Sequence, residues 1–201
     1  MNEGNVAVAL PRRWLCVAAS LRDMLRRAVR RTWVPMFVAL MCIGLQANPA
    51  NAAGSTAALY ETTLKDTSGK PFDLSRLRGK TTVVNFWASW CGPCVREMPE
   101  LAVLNDRYAG KKVAFVGIAA DSDANVKRFL GNVRVDYLIL NAGFEGVELS
   151  TKLGNTVHGL PFTVVIDEDG QISYTKLGAI SSPELAKALD SSIARRKDAR
   201  R

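Results

Sequence analysis

The sequence predicts an α/β fold in which a central mixed sheet is flanked by helices. Three features carry this expectation: two apolar, β-rich runs, a helix-patterned stretch between them, and a hairpin pattern near the end. The runs are Thr81-Thr-Val-Val-Asn-Phe-Trp87 and Lys112-Val-Ala-Phe-Val-Gly-Ile-Ala119. Neither alternates polar with apolar residues, as expected of strands buried on both faces. Residues 94–108 between them place Val95, Met98, Leu101, Ala102, Leu104 and Tyr108 at helical spacing, with Pro99 as an expected kink. Strand, helix and strand in such a short span form a βαβ unit, and hence a parallel pair joined by a right-handed crossover.

The remaining elements follow in order. Ahead of the first buried run, Gly69-Lys70-Pro71 is a turn, Phe72-Asp73-Leu74 a short strand and Leu77-Arg78-Gly79 a helical turn, so an N-terminal hairpin precedes the sheet. After the second run, a helix capped by Asp123 reaches about Leu130, residues 137–140 form a short strand, and residues 145–153 form another helix. Phe162-Thr-Val-Val-Ile166, a turn at residues 167–170 and a strand over 171–176 make the closing hairpin. Ser182-Pro183 opens a terminal helix. Residues 53–201 thus read as one domain with a basic tail from about residue 194, where Arg195, Arg196, Lys197, Arg200 and Arg201 suggest a frayed, solvated end.

At 201 residues, with 48% hydrophobic and 23% charged side chains, the chain has the composition of a folded domain, which excludes general disorder. The net charge of +8 suggests a nucleic-acid partner only until it is divided. Residues 1–52 carry seven arginines against Glu3 and Asp23, leaving only +3 for the rest, so no nucleic-acid partner is expected.

Those first 52 residues have the layout of a secretory signal: a basic stretch at 26–31, an apolar run over 33–45, then Ala50-Asn51-Ala52 with small residues at both critical positions. Cleavage is expected after Ala52. The apolar run is shorter than the roughly 17–25 residues of a membrane-spanning helix, and Pro35 interrupts it; retention as an anchor is the alternative. Met24 offers a second start that would give the signal a conventional length. Arg26-Arg27 lacks the flanks of a twin-arginine signal, and Met41 is too bulky to precede a lipidated Cys42. The expected location is the periplasm.

Cys16 and Cys42 fall in the removed segment, so the mature protein keeps only Cys91 and Cys94. This excludes a structural disulfide framework. Trp90-Cys91-Gly92-Pro93-Cys94 follows a buried strand and opens a helix, a context in which two cysteines at this spacing do redox chemistry. Unpaired N–H groups and the positive end of the helix dipole stabilise a thiolate at the first cysteine. Cys91 is therefore the activated thiol, with Cys94 one turn further in. Pro93 suits the first turn, and Gly92 leaves room for a substrate backbone. A tetrahedral zinc site would need two further ligands, and His158 is the only histidine. Neither metal nor cofactor is expected, and His158 reads as a solvent-facing loop residue.

Asn85-Phe-Trp-Ala-Ser-Trp-Cys-Gly-Pro-Cys94, then Glu97-Met98-Pro99, and later Gly159-Leu-Pro-Phe-Thr163 before Val164-Val-Ile-Asp167 resemble the thioredoxin superfamily, and within it the exported TlpA/ResA-like branch. The resemblance spans about residues 59–190. It implies a thioredoxin fold with an N-terminal β-hairpin and a central helix–strand insertion, here about residues 123–149. It also implies that Pro161 is a cis-proline opposite the cysteines, with Leu160 presenting its backbone to an extended substrate. Asn85 stands where cytoplasmic thioredoxins carry a buried acid that helps deprotonate the second cysteine. Glu97, three residues past Cys94 and so on the same helix face, is the candidate replacement; the alternative is a water-facing carboxylate near a helix start. Trp87 is expected in the core and Trp90 on the contact surface.

The resulting functional expectation is a monomeric protein disulfide reductase acting on exported clients, with Cys91 as nucleophile and Cys94 resolving the mixed disulfide. By resemblance, a membrane thiol reductant supplies electrons, and clients are apocytochrome c thiols or a copper-site assembly protein. A disulfide-forming oxidase and a copper metallochaperone are the alternatives. Gly-Pro between the cysteines argues against the first, and their spacing argues against the second.

Overall fold

The computed structural model describes residues 55–199, with side chains described to residue 195. The expected signal segment, its cleavage point and the alternative start at Met24 lie outside the described residues. A seven-stranded mixed sheet has the order β2-β1-β5-β4-β3-β6-β7. Its strands are β1 (Thr63–Asp66), β2 (Pro71–Asp73), β3 (Thr81–Trp87), β4 (Val113–Ala119), β5 (Leu138–Asn141), β6 (Phe162–Ile166) and β7 (Ile172–Leu177). The helices are α1 (Ala57–Tyr60), α2 (Gly92–Arg107), α3 (Asp123–Leu130), α4 (Glu145–Lys152) and α5 (Ser182–Ala199). A 3-10 turn over Leu74–Leu77 follows β2.

β3 is central because every one of its residues can be buried. It runs parallel to β4 and antiparallel to β6. The period-two alternation of strands then sorts side chains between two cores. Val83, Trp87, Phe115, Ile139 and Val165 face one side, under Met98 and Leu101 of α2 and Leu185 and Leu189 of α5. Val84, Phe86, Val116, Leu140 and Val164 face the other, with Leu59 of α1, Leu74 and Leu149 of α4. Asn85 shares the parity of Val83 and Trp87, so it points toward α2.

The N-terminal hairpin is present, but it does more than precede the sheet: β1 pairs with β5 as well as β2, making the hairpin one edge of the sheet. The insertion is what makes this possible, because β5 is the strand that receives it. Three expectations are revised. Ser122 caps α3, its hydroxyl accepting from Asn125 N at 3.3 Å, and Asp123 is the first helical residue. The last strand ends one residue later than expected, at Leu177. The terminal helix continues through Arg195 to Ala199, where a frayed tail was expected. Leu185 and Leu189 pack this helix into the core, and the Tyr108 hydroxyl at the end of α2 donates to Asp190 at 2.8 Å.

Parallel topology gathers the functional segments. The C-terminal ends of β3, β4 and β5 and the start of β6 lie at one end of the sheet. Ala120 N donates to Trp87 O at 2.8 Å and Ala142 N to Ala119 O at 3.0 Å, tying the loops of that end together.

Candidate redox site

Cys91 and Cys94 are joined by a disulfide, with their Cα atoms 5.3 Å apart. Cys91 has extended backbone and serves as N-cap of α2; its sulfur accepts from Cys94 N at 3.3 Å. Pro93 lies in the first turn, where an N–H is not required. The two sulfurs are unequal in access. Cys91 is 6% exposed and Cys94 is fully buried, so a partner approaches the pair through Cys91. Gly92 and Pro93 are exposed beside it, and Trp90 is 68% exposed, whereas Trp87 is in the core, as expected.

Two buried polar residues, not anticipated from the sequence, hold the loops around the pair. Asp121, just past β4, accepts from Ser89 N at 2.9 Å and Ser89 Oγ at 2.6 Å through one oxygen, and from Ser122 N and Asn125 Nδ2 through the other. It thereby fixes the segment carrying Trp90 and Cys91. Burial opposes its ionisation, but the donors from Ser89, Asn125 and Ser122 outweigh burial and hold its pKa below the usual carboxylate range. Asn155 is the second. Its amide donates to Gly159 O at 2.9 Å and to Ser150 Oγ at 3.0 Å, while its carbonyl accepts from Gly159 N at 3.1 Å.

That clamp precedes Leu160-Pro161, whose peptide bond is cis, as the resemblance implies. Pro161 is buried and its carbonyl accepts from Gly178 N at 2.8 Å, while Leu160 is half-buried. Gly159 lies against Leu177, whose Cδ1 a Cβ would approach to 2.9 Å and push aside. His158 is exposed in the same loop, its Nδ1 3.3 Å from Thr151 Oγ1. Among the described residues, no group of three or more His, Cys, Asp or Glu side chains is placed to hold a metal ion.

Glu97 does not face water. It is 4% exposed, one carboxylate oxygen accepting from Asn85 Nδ2 at 2.8 Å and the other from Ile180 N at 2.9 Å. Asn85 Nδ2 also donates to Thr163 Oγ1 at 3.0 Å. Burial raises the pKa of Glu97; the bonds from Ile180 and Asn85 oppose that rise without cancelling it, and the charge of Glu100 adds to it. Of the residues singled out in the sequence, Trp90, Cys91, Gly92, Pro93, Cys94 and Glu97 lie on α2 or its approach. Leu160 and Pro161 lie in the loop entering β6 at the same end of the sheet.

Comparison with known proteins agrees with this geometry. Residues 52–190 match the Redoxin family. The thiol-disulfide oxidoreductase ResA of Bacillus thuringiensis is 31% identical over 123 residues, 60% of this chain and 68% of that protein. A thioredoxin-related protein from Neisseria meningitidis serogroup B superposes with a TM-score of 0.60 at 33% identity, covering 65% of this chain and 98% of its own. A secreted Mycobacterium tuberculosis disulfide oxidoreductase homologous to E. coli DsbE gives a TM-score of 0.56 at 26% identity, over 66% and 96% of the two chains.

Proposed function

Because this chain belongs to the redoxin family and is a thiol:disulfide oxidoreductase of the TlpA/ResA-like kind, we propose that it reduces disulfides of client proteins outside the cytoplasm. One observation carries the reading: a disulfide at a helix N-terminus with Cys91 reachable and Cys94 sealed beneath it. In the reduced protein the Cys91 thiolate, stabilised by the helix N-terminus, attacks one sulfur of a client disulfide and expels the other as a thiolate. Cys94 then gives its proton to Glu97 and attacks Cys91 Sγ, breaking the mixed disulfide and releasing the second client thiolate. The client gains two electrons and the Cys91–Cys94 disulfide reforms. A membrane thiol reductant returns two electrons to the pair.

Clients are proteins rather than small disulfides. Trp90, Phe144, Val157 and Leu177 are large, exposed apolar residues, and all four belong to segments at the sheet end that bears the disulfide. Such a surface suits a polypeptide with apolar residues around its own disulfide. Cis-Pro161 offers the Leu160 backbone to it. Apocytochrome c thiols and a copper-site assembly protein are the client classes that fit, and the protein acts as a monomer. Export is supported by the signal-like layout of residues 1–52 and by the secreted relative. No helix among the described residues is long and apolar enough to cross a membrane.

The reduction potential of the Cys91–Cys94 pair tests the direction. A reductase requires a value near the roughly −270 mV of thioredoxin, whereas a value near the roughly −120 mV of a strong oxidant would make the protein a disulfide-forming oxidase instead.

A further inference from the structure

Gly159, Leu160 and Pro161, which lead into β6, differ in what their backbone has left to offer. Both polar groups of Gly159 are taken by one side chain: Asn155 Oδ1 accepts from Gly159 N at 3.1 Å, and Asn155 Nδ2 donates to Gly159 O at 2.9 Å. A paired strand binds a residue in the same two-bonded way, so Gly159 is closed to a client chain. Pro161 has no N–H, and its carbonyl accepts from Gly178 N at 2.8 Å. Leu160 lies between these two closed residues. No hydrogen bond to its N–H or C=O is found among the described residues, and its side chain packs against both cores, which anchors it.

Asn155 is itself fixed from behind. It is 2% exposed, its amide donates to Ser150 Oγ at 3.0 Å and its backbone N–H donates to Ser150 O at 3.0 Å, on the last turns of α4. Ser150 Oγ in turn donates to Val147 O at 2.7 Å. A carboxamide suits this position because one short side chain supplies an acceptor and two donors. Between Asn155 and Gly159, His158 has a left-handed backbone, with φ of 56°. A residue other than glycine keeps that conformation where neighbouring interactions hold it. Here the Asn155–Gly159 pair straddles it, and His158 N donates to Asn155 O at 3.3 Å.

We propose that Asn155 is the positioning residue for client binding: by taking both polar groups of Gly159 and tying them to α4, it holds the Leu160 backbone open to the client and confines pairing to that one residue. This rests on the reading of clients as polypeptides that pair with Leu160. Asn155 touches neither sulfur, so its effect falls on recognition of the client chain and not on the reactivity of Cys91. A disulfide without a peptide backbone has nothing to pair with Leu160 and gains nothing from the arrangement. The same bonds make α4, part of the insertion, a support of the loop that meets the client.

The test follows single turnovers of the reduced exported protein with two disulfides. One is a synthetic peptide with an intramolecular disulfide flanked by apolar residues; the other is hydroxyethyl disulfide, which has no peptide backbone. In Asn155→Ala the peptide concentration giving half-maximal attack should rise roughly tenfold, as for one lost backbone hydrogen bond, while the limiting rate and the rate with hydroxyethyl disulfide stay within about twofold. Hydrogen exchange at the Gly159 amide should accelerate in the same variant. Asn155→Asp keeps the acceptor for Gly159 N but loses both donations, so it should show the same selective rise and serves if Asn155→Ala does not fold. Equal losses with both disulfides would place the effect on the fold or the cysteines, and wild-type constants with both would leave Asn155 without a role; either result overturns the proposal. Methylating the peptide's backbone nitrogens beside its cysteines separates this proposal from the reading beneath it. Wild-type protein should bind the methylated peptide roughly tenfold more weakly. Indifference to methylation overturns pairing at Leu160 and the proposal with it, whereas sensitivity to methylation alongside wild-type constants in Asn155→Ala overturns the role of Asn155 alone.

Discussion

Asn85 on β3 donates a 2.8 Å hydrogen bond to Glu97 on α2, and both residues are buried. The strand position that carries an acid in cytoplasmic thioredoxins is thus filled by a neutral amide, and the acid approaches from the helix instead. This relocation keeps a buried carboxyl behind the cysteines while tying its proton affinity to two anchors, β3 and the Ile180 N–H. A carboxyl on α2 one turn from Cys94 therefore bridges that helix to β3 and to the approach to α5.

Exchange of the two cysteines for serine separates their roles. Cys91→Ser should abolish insulin-disulfide reduction, because buried Cys94 cannot reach a client. Cys94→Ser should instead accumulate covalent client complexes, since the nucleophile survives without its resolving partner. Non-reducing gels of the exported fraction read this directly; equal trapping by both variants would refute the assignment.

Asp121→Asn should loosen the active loop. The amide cannot accept from Ser89 N and Ser89 Oγ through one atom while also accepting from Ser122 N and Asn125 through the other. The expected loss is about 2 kcal/mol, measured by urea unfolding at pH 7. A carboxylate whose folded pKa is depressed stabilises the fold above its unfolded pKa, and that contribution disappears as pH falls through the folded value. The gap between wild type and variant should therefore close in acid. A gap independent of pH from 7 to 2 would mean that the hydrogen bonds, and not the charge, are the whole effect.

What was legible in the sequence, and what was not, follows from the range of the interactions. β3 and the cysteine motif were read correctly because burial of consecutive residues and helix-start chemistry are local. Glu97 was located by helical spacing and by the resemblance, which also singled out Asn85, but the hydrogen bond between them and the second partner Ile180, 83 residues away, were not read. Asp121 was missed for the same reason: its partner Ser89 is 32 residues distant. A polar residue at the carboxyl end of a buried parallel strand was the available signal. Asn155 was findable, since an asparagine four residues before Gly159 in a loop invites side-chain clamping of the backbone. Ser122, one residue before the expected cap, is an ordinary boundary shift.

Metal binding provides an independent check on the redox assignment. His158 is exposed in the cis-proline loop, and its ring nitrogen lies near Thr151 rather than being directed by a carboxylate, as second-shell partners direct most metal-ligating histidines. Reduced protein should bind copper no better than the Cys91→Ser, Cys94→Ser double variant by calorimetry. Stoichiometric submicromolar copper binding that is lost in His158→Ala would favour a metallochaperone.

Glu97→Gln should change stability and kinetics in opposite directions. Burial raises the folded pKa of Glu97, so the carboxyl favours folding while protonated, below its unfolded pKa, and this contribution is lost as pH rises through the raised folded value. Glutamine never ionises. With its carbonyl accepting from Ile180 N and its amide donating to a flipped Asn85, it should make the fold more stable than wild type at pH 8, and no more stable at pH 4. Resolution of the mixed disulfide should meanwhile slow by on the order of 100-fold at pH 6, the usual loss when a positioned proton acceptor is removed, and recover toward pH 9 as Cys94 ionises alone. Attack by Cys91 should be nearly normal. Stopped-flow fluorescence, with exposed Trp90 beside the pair as reporter, follows both steps. A variant that is stabilised at pH 8 yet resolves at wild-type rates from pH 6 to 9 would show that the carboxyl is buried but idle, and that Cys94 loses its proton to another group.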